Sequence, residues 1–250
     1  MLPLHLGEPV AIREATVASL RRQSGANLLL VGQSERMALG LCTAMLASLR
    51  ACVGAGAQVT LLDGAPADSP EAGKLPEAAA ALGLSAMIPG YREVDDVIRG
   101  LGELVARRTE SGRSDEPPVL LLIHGLQRFR SLRRDEDDYS FSSGDGPPKP
   151  DRIFASILRD GPAVGVHSVV WADTAASVQR SVDRGAMREF DMRVLMQMGA
   201  NDSSTLIDSP VASRLGAERA LLFSEERGTV ERFRPFEPPS AGELAELLGR

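Results

Sequence analysis

Little in this chain of 250 residues announces a chemistry, so the absences narrow the field first. There are two cysteines, Cys42 and Cys52. They lie on one stretch of helical pattern, too far apart for a disulfide, which needs Cα atoms within roughly 7 Å. No cysteine or histidine spacing suits a metal. Both cysteines read as small core residues of a protein from a reducing compartment. No apolar run approaches the ~20 residues that span a bilayer. Residues 1–10 (MLPLHLGEPV) lack the basic start and long apolar stretch of a signal peptide. These absences predict a cytoplasmic protein without direct membrane insertion. Positive charge is not in excess either. The 28 Lys and Arg residues face 34 Asp and Glu, a net charge of −6. That balance excludes coating of nucleic acid by bulk electrostatics, though not a local basic patch. There is no internal repeat.

What is present is a globular composition, 43% hydrophobic, and enough length for one α/β domain over residues 1–250. Short apolar runs predict strands at 27–31 (NLLLV), 58–62 (QVTLL), 119–123 (VLLLI), 167–172 (HSVVWA) and 193–198 (RVLMQM). Nearly continuous apolar strands indicate a parallel sheet covered on both faces. Helical spacing joins Met37, Leu41, Met45 and Leu49, and again Val94, Val97, Leu101, Leu104 and Val105. Strand–helix alternation predicts βαβ units in three layers. Runs at 220–223 and 229–233 predict a hairpin at the sheet edge, turning at Gly228. A last helix is expected at 241–248. Residues 133–150, rich in acids, Ser, Gly and Pro, read as a mobile surface loop.

The turn after the first core strand is where a phosphate loop of the form G-x-x-x-x-G-K-[ST] sits. Here it reads Gly32, Gln33, Ser34, Glu35, Arg36, Met37, Ala38, Leu39. Counting from Gly32, Met37 takes the second glycine's place, Ala38 the lysine's and Leu39 the hydroxyl's. The cation for the β- and γ-phosphates and the Mg²⁺ ligand are both missing. Arg36 either supplies the lost charge or caps a surface turn. At the end of 119–123, where a motor ATPase carries an acidic pair, stand His124 and Gly125. Histidine is a poor magnesium ligand, since that ion prefers oxygen. Two sites have thus lost their chemistry together.

The later segments carry a resemblance. Residues 161–172 (GPAVGVHSVVWA) resemble the G-R-A-x-G-I-H-L-I-L-A-T segment of FtsK/SpoIIIE-type motor ATPases. Asp202 to Asp208 (DSSTLID) is similar to that family's D-S-R-T-I-L-D, and 212–216 (ASRLG) to A-E-K-L-L-G. The family's T-Q-R-P-like sensor is replaced by Asp173-Thr174-Ala175-Ala176. The resemblance covers most of the chain and leaves 133–150 unmatched. It implies a RecA-like P-loop fold and partnership with other ATPase-type domains in a ring that moves DNA or protein. The replaced motifs make this a degenerate copy, without ATP hydrolysis of its own. No cofactor is expected, with ATP and Mg²⁺ only if Arg36 rescues the loop. Two alternatives stay open: an active DNA-translocase subunit with unusual ligands, and a regulatory domain that takes a peptide in the emptied cleft, floored by Met37, Ala38 and Leu39 and rimmed by Gly32, Gln33, Ser34, His124 and Asp173. The basic cluster Arg128, Arg130, Arg133 and Arg134 is the leading nucleic-acid candidate, with Arg21 and Arg22 second. Acids at 135–138 offset its field.

Overall fold

The computed structural model describes residues 1–11, 14–54, 56–113, 115–134 and 148–248. Ten strands form one sheet: β1 (Leu2–Pro9), β2 (Thr16–Leu20), β3 (Leu28–Val31), β4 (Gln58–Asp63), β5 (Ser85–Met87), β6 (Val119–His124), β7 (Val166–Ala172), β8 (Met192–Met196), β9 (Ala220–Ser224) and β10 (Thr229–Pro235). Their order across the sheet is β2-β1-β10-β9-β8-β3-β7-β6-β4-β5. The strands from β8 to β5 run parallel, and β9, β10, β1 and β2 continue the sheet antiparallel. The described helices are α1 (Glu35–Val53), α2 (Lys74–Ala81), α3 (Val94–Ser111), α4 (Pro150–Asp160), α5 (Ala175–Ser181), α6 (Arg184–Met187), α7 (Ala200–Ile207) and α8 (Ala241–Leu248).

The three layers follow from the side-chain period of a strand. In β3, Leu28 and Leu30 enter a core shared with α1 and α2, while Leu29 and Val31 enter a second core shared with α3 and α4. Every position of β3, β6, β7 and β8 is buried, which is why these strands read as unbroken apolar runs. Where the first core strand starts, the fully buried Asn27 ties three elements together. Its amide donates to the Leu158 and Glu189 carbonyls at 2.9 and 2.8 Å, and its oxygen accepts the Ser168 N–H at 2.8 Å. A buried amide is tolerable only when satisfied in this way.

Three expectations need correction. The β9–β10 hairpin is not at the edge: β10 pairs with β1, and β2 lies outside that. Leu2, Leu4 and Leu6 alternate inward along β1 and find their core by joining the sheet there. Cys42 is buried, but Cys52 is exposed on the far end of α1. And α1 is long and apolar enough by composition to cross a bilayer. It serves as a core helix, with ten of its residues buried. The expected loop at 133–150 lies largely outside the described residues. Its described ends are held: the Arg134 N–H bonds to the Arg180 carbonyl at 2.9 Å, and Pro150 opens α4.

Candidate nucleotide cleft

In an open parallel sheet, ligands bind beyond the carboxyl ends of the strands. Those ends here are Val31 of β3, Ala172 of β7 and His124 of β6, adjacent in that order, with Asp63 of β4 next. Only Gly32, Gln33 and Ser34 join β3 to α1. Ser34 is the N-cap; its hydroxyl accepts the Met37 N–H at 3.3 Å, and its carbonyl accepts the Ala38 N–H at 3.0 Å. A phosphate loop needs four residues between its glycines, with backbone N–H groups turned inward. Two of those four, Glu35 and Arg36, are already helical. The expected pocket floor is therefore not formed. Ala38 and Leu39 are buried in the α1 core, at 0% and 2% exposure. Met37 is half-buried at its margin.

Side chains pack closely around Gly32 at the end of β3. Gly32 has a φ of 153°, and a Cβ placed on it would lie 2.4 Å from the Met196 Cβ. Met196 thus packs on bare backbone, which only glycine permits. Trp171 Nε1–H donates to the Gly32 carbonyl at 3.0 Å. The Trp171 ring lies 4.5 Å from the His124 ring, centroid to centroid. Both are buried. The His124 Nδ1 lies 3.4 Å from Asp63 Oδ1, and neither ring nitrogen has a hydrogen-bond partner among the described residues. Asp63 instead accepts the Ala65 N–H at 3.1 Å and closes its own turn. The turns after β4 and β6 meet backbone to backbone. The Gly64 N–H bonds to the His124 carbonyl at 2.7 Å, and a Cβ on Gly64 would sit 2.6 Å from that oxygen. Gly125, at φ 88°, donates to the Trp171 carbonyl at 3.2 Å. So Gly32, His124 and Asp173 do come to neighbouring strand ends, with Trp171 packed against the first two.

Arg36 points elsewhere. Its guanidinium meets Glu237 at 2.6 Å, with both side chains largely exposed. Asp173 is half-buried, its N–H on the Gln127 Oε1 at 3.4 Å. Thr174, at the sensor position, caps α5 by accepting the Ser177 N–H at 3.2 Å. Burial pushes the Cys42 thiol pKa up, and the nearby Asp63 charge adds to it, so this thiol stays protonated and inert. Among the described residues, no group of three or more His, Cys, Asp or Glu side chains could hold a metal ion. The basic cluster sits on two 3-10 turns, Leu126–Arg128 and Arg130–Leu132, anchored by buried Leu126, Phe129 and Leu132. Arg128, Arg130 and Arg134 are exposed, while Arg133 donates to the Gln127 carbonyl at 2.7 Å. Arg21 is exposed at the end of β2, and the Arg22 side chain donates to the Glu116 carbonyl.

The residues that sequence reading passed over are Trp171, Met196 and Asp63. For Trp171 a signal existed: it stands where the FtsK/SpoIIIE segment has alanine. Met196 gave none, being one apolar residue in an apolar strand.

No protein-family model matches the chain, and no curated protein matches it. Solved structures do. The cytoplasmic domain of the Thermomonospora curvata type VII secretion ATPase EccC superposes with a TM-score of 0.67 at 15% identity, over 94% of this chain and 28% of that one. EssC (ATPases 2 and 3) from Geobacillus thermodenitrificans gives 0.63 at 11% identity, over 100% of this chain and 49% of that one. B204, the DNA-packaging ATPase from Sulfolobus turreted icosahedral virus, gives 0.57 at 10% identity, over 88% and 100%. This is a RecA-like P-loop ATPase fold. Numbered among themselves, the five strands of the RecA-like core, β3, β4, β6, β7 and β8, lie in the order fifth, first, fourth, third, second. The chain spans less than half the length of the two secretion ATPases.

Proposed function

We propose that this chain is a non-catalytic ATPase-type module of a machine that moves protein or DNA, acting as a structural or docking domain beside other ATPase-type domains in the cytoplasm. The observation that carries this reading is the filled cleft: Trp171 and Met196 close on Gly32, where a nucleotide's phosphates would need bare backbone and open space. Phosphoryl transfer rests on positioned cations and a metal, and Ala38, Leu39, His124 and Gly125 offer neither. The kinship of fold with secretion and packaging ATPases supports the assignment to a translocating machine.

The reading of an active subunit requires Arg36 to replace the phosphate-loop lysine, and Arg36 is engaged with Glu237 on the outer side of α1. The reading of a peptide in the emptied cleft requires open space at Gly32, where Trp171 and Met196 pack. A steady-state ATPase assay on the isolated chain tests the proposal. Turnover should equal the buffer blank, and Ala38→Lys should not raise it, because the lysine would be placed in the core. Turnover above the blank that disappears in Arg36→Ala would overturn the proposal in favour of an active enzyme.

A further inference from the structure

The two faces of the sheet are unequally covered at its β5 end. On one face α2 packs against β4 and β5. On the other, an open groove of about 1070 Å³ runs between α3 and the edge formed by β4 and β5. Thr60 and Met87 form the groove's sheet wall, and Val97, Gly100 and Leu104 form its helix wall. Met87 and Ile88, which both line the groove, are 57% and 43% exposed. Two of the six exposed large hydrophobic residues among those described line this groove. An α/β sheet normally has a helix here.

The groove is also polarised. At the α3 N-terminus its rim carries Glu93 and Asp96. Arg99 pairs with Asp96 at 2.7 Å, and the Glu93 carboxylate takes the Gly90 N–H at 2.8 Å, so the negative charge of this end exceeds the positive by one among the three. At the α3 C-terminus the rim carries Arg107, while Arg108 is buried and neutralised by Glu116 at 2.8 Å. A helix lying antiparallel to α3 would bring its C-terminal turn to Glu93 and Asp96, and its N-terminal turn to Arg107. Helices favour basic residues in the last turn and acidic ones in the first. The terminal side chains that complement the rim in this orientation are therefore also the ones that each end of a helix prefers.

We propose that this groove is a docking site for an amphipathic helix of a partner protein. That helix has an acidic first turn and a basic last turn, and it lies antiparallel to α3. It completes the missing cover of β4 and β5. The site is separate from the nucleotide cleft and does not depend on the chain being catalytically silent.

The probe is a displayed library of peptides of about 15 residues, long enough to match α3 between Glu93 and Arg107 at 1.5 Å per residue. Each carries a leucine stripe, with the first and last turns randomised between Glu and Lys. The library is panned on the whole chain and on two variants. Gly100→Trp places a ring in the groove; a Cβ at Gly100 meets nothing within 4 Å, so the variant keeps the fold. Glu93→Lys with Asp96→Lys reverses the acidic rim. Peptides with acidic first and basic last turns should be enriched about tenfold over the reverse order on the native chain, a difference of one decade in affinity. Enrichment should vanish on Gly100→Trp, and the charge preference should be lost on the double variant. Equal enrichment of both charge orders, no enrichment at all, or enrichment undiminished by Gly100→Trp overturns the proposal.

Discussion

At the residue scale, the account turns on Trp171. Here the indole is buried, hydrogen-bonded to the Gly32 carbonyl and tilted against the His124 ring. Truncating a buried tryptophan removes its transfer energy and leaves a cavity, together about 3–5 kcal/mol. Trp171→Ala should lower stability by that amount in a urea titration, and the vacated space should still bind no ATP. A change below ~1 kcal/mol would mean that the ring does not fill the cleft. His167 gives a second test. Burial pushes its pKa down to about 4, with Arg22 assisting and the bond from Nδ1–H to the Ala26 carbonyl opposing. The unfolded ring titrates near 6.5, so protons favour the unfolded chain below that value. This contribution is intact above pH 6.5 and is lost as pH falls from 6.5 towards 4. It amounts to about 3 kcal/mol at the end of that window. His167→Gln should flatten the stability curve there. Neither prediction could be drawn from sequence alone. That Ala38, Leu39 and His124 stand at the template positions was visible by counting, but the packing around Gly32 was not, because Met196 meets Gly32 only through the pairing of β8 with β3.

At the element scale, α1 decides the site. It was legible as a helix from its apolar period, yet its start at Glu35 was not, because the phosphate-loop template places that start later. Ser34 wins by capping. The C-terminal segment then crosses α1, and Gly40 permits the crossing: a Cβ there would lie 2.2 Å from the Phe236 carbonyl oxygen. Gly→Ala inside a helix ordinarily stabilises by about 1 kcal/mol. Forcing atoms into an occupied site costs about 1–3 kcal/mol, and here the obstacle is backbone. Gly40→Ala should therefore destabilise and make residues 236–240 more sensitive to protease; a raised melting temperature would contradict the crossing. Arg193 plays a comparable part on β8. It is buried, donates to the Phe190, Leu206 and Met187 carbonyls, pairs with Glu225 and lies 5.7 Å from the Phe223 ring. Arg193→Met should cost about 3 kcal/mol in chemical denaturation, since three carbonyls lose their donor. In sequence it was one polar residue in an apolar strand, with no sign of its partners.

At the scale of the whole molecule, the parallel core was the most legible part. Five unbroken apolar runs separated by helical stretches admit few other arrangements. Less legible was the margin. β2 and β5 are short edge strands with mixed faces, and the hairpin's place inside the sheet depends on β1, which lies more than two hundred residues earlier in sequence. The candidate site was half legible: its position at the ends of β3, β6 and β7 followed from the glycine turn and the strand order, while its closure needed coordinates. On the proposed reading, this RecA-like fold keeps the place of a nucleotide and has filled it. A calorimetric titration of the chain with Mg·ATP and with a non-hydrolysable analogue measures that directly. The account predicts no heat beyond dilution up to ~1 mM nucleotide, the same in Arg36→Ala. Saturable binding with a dissociation constant in the micromolar range, weakened by Arg36→Ala, would contradict it.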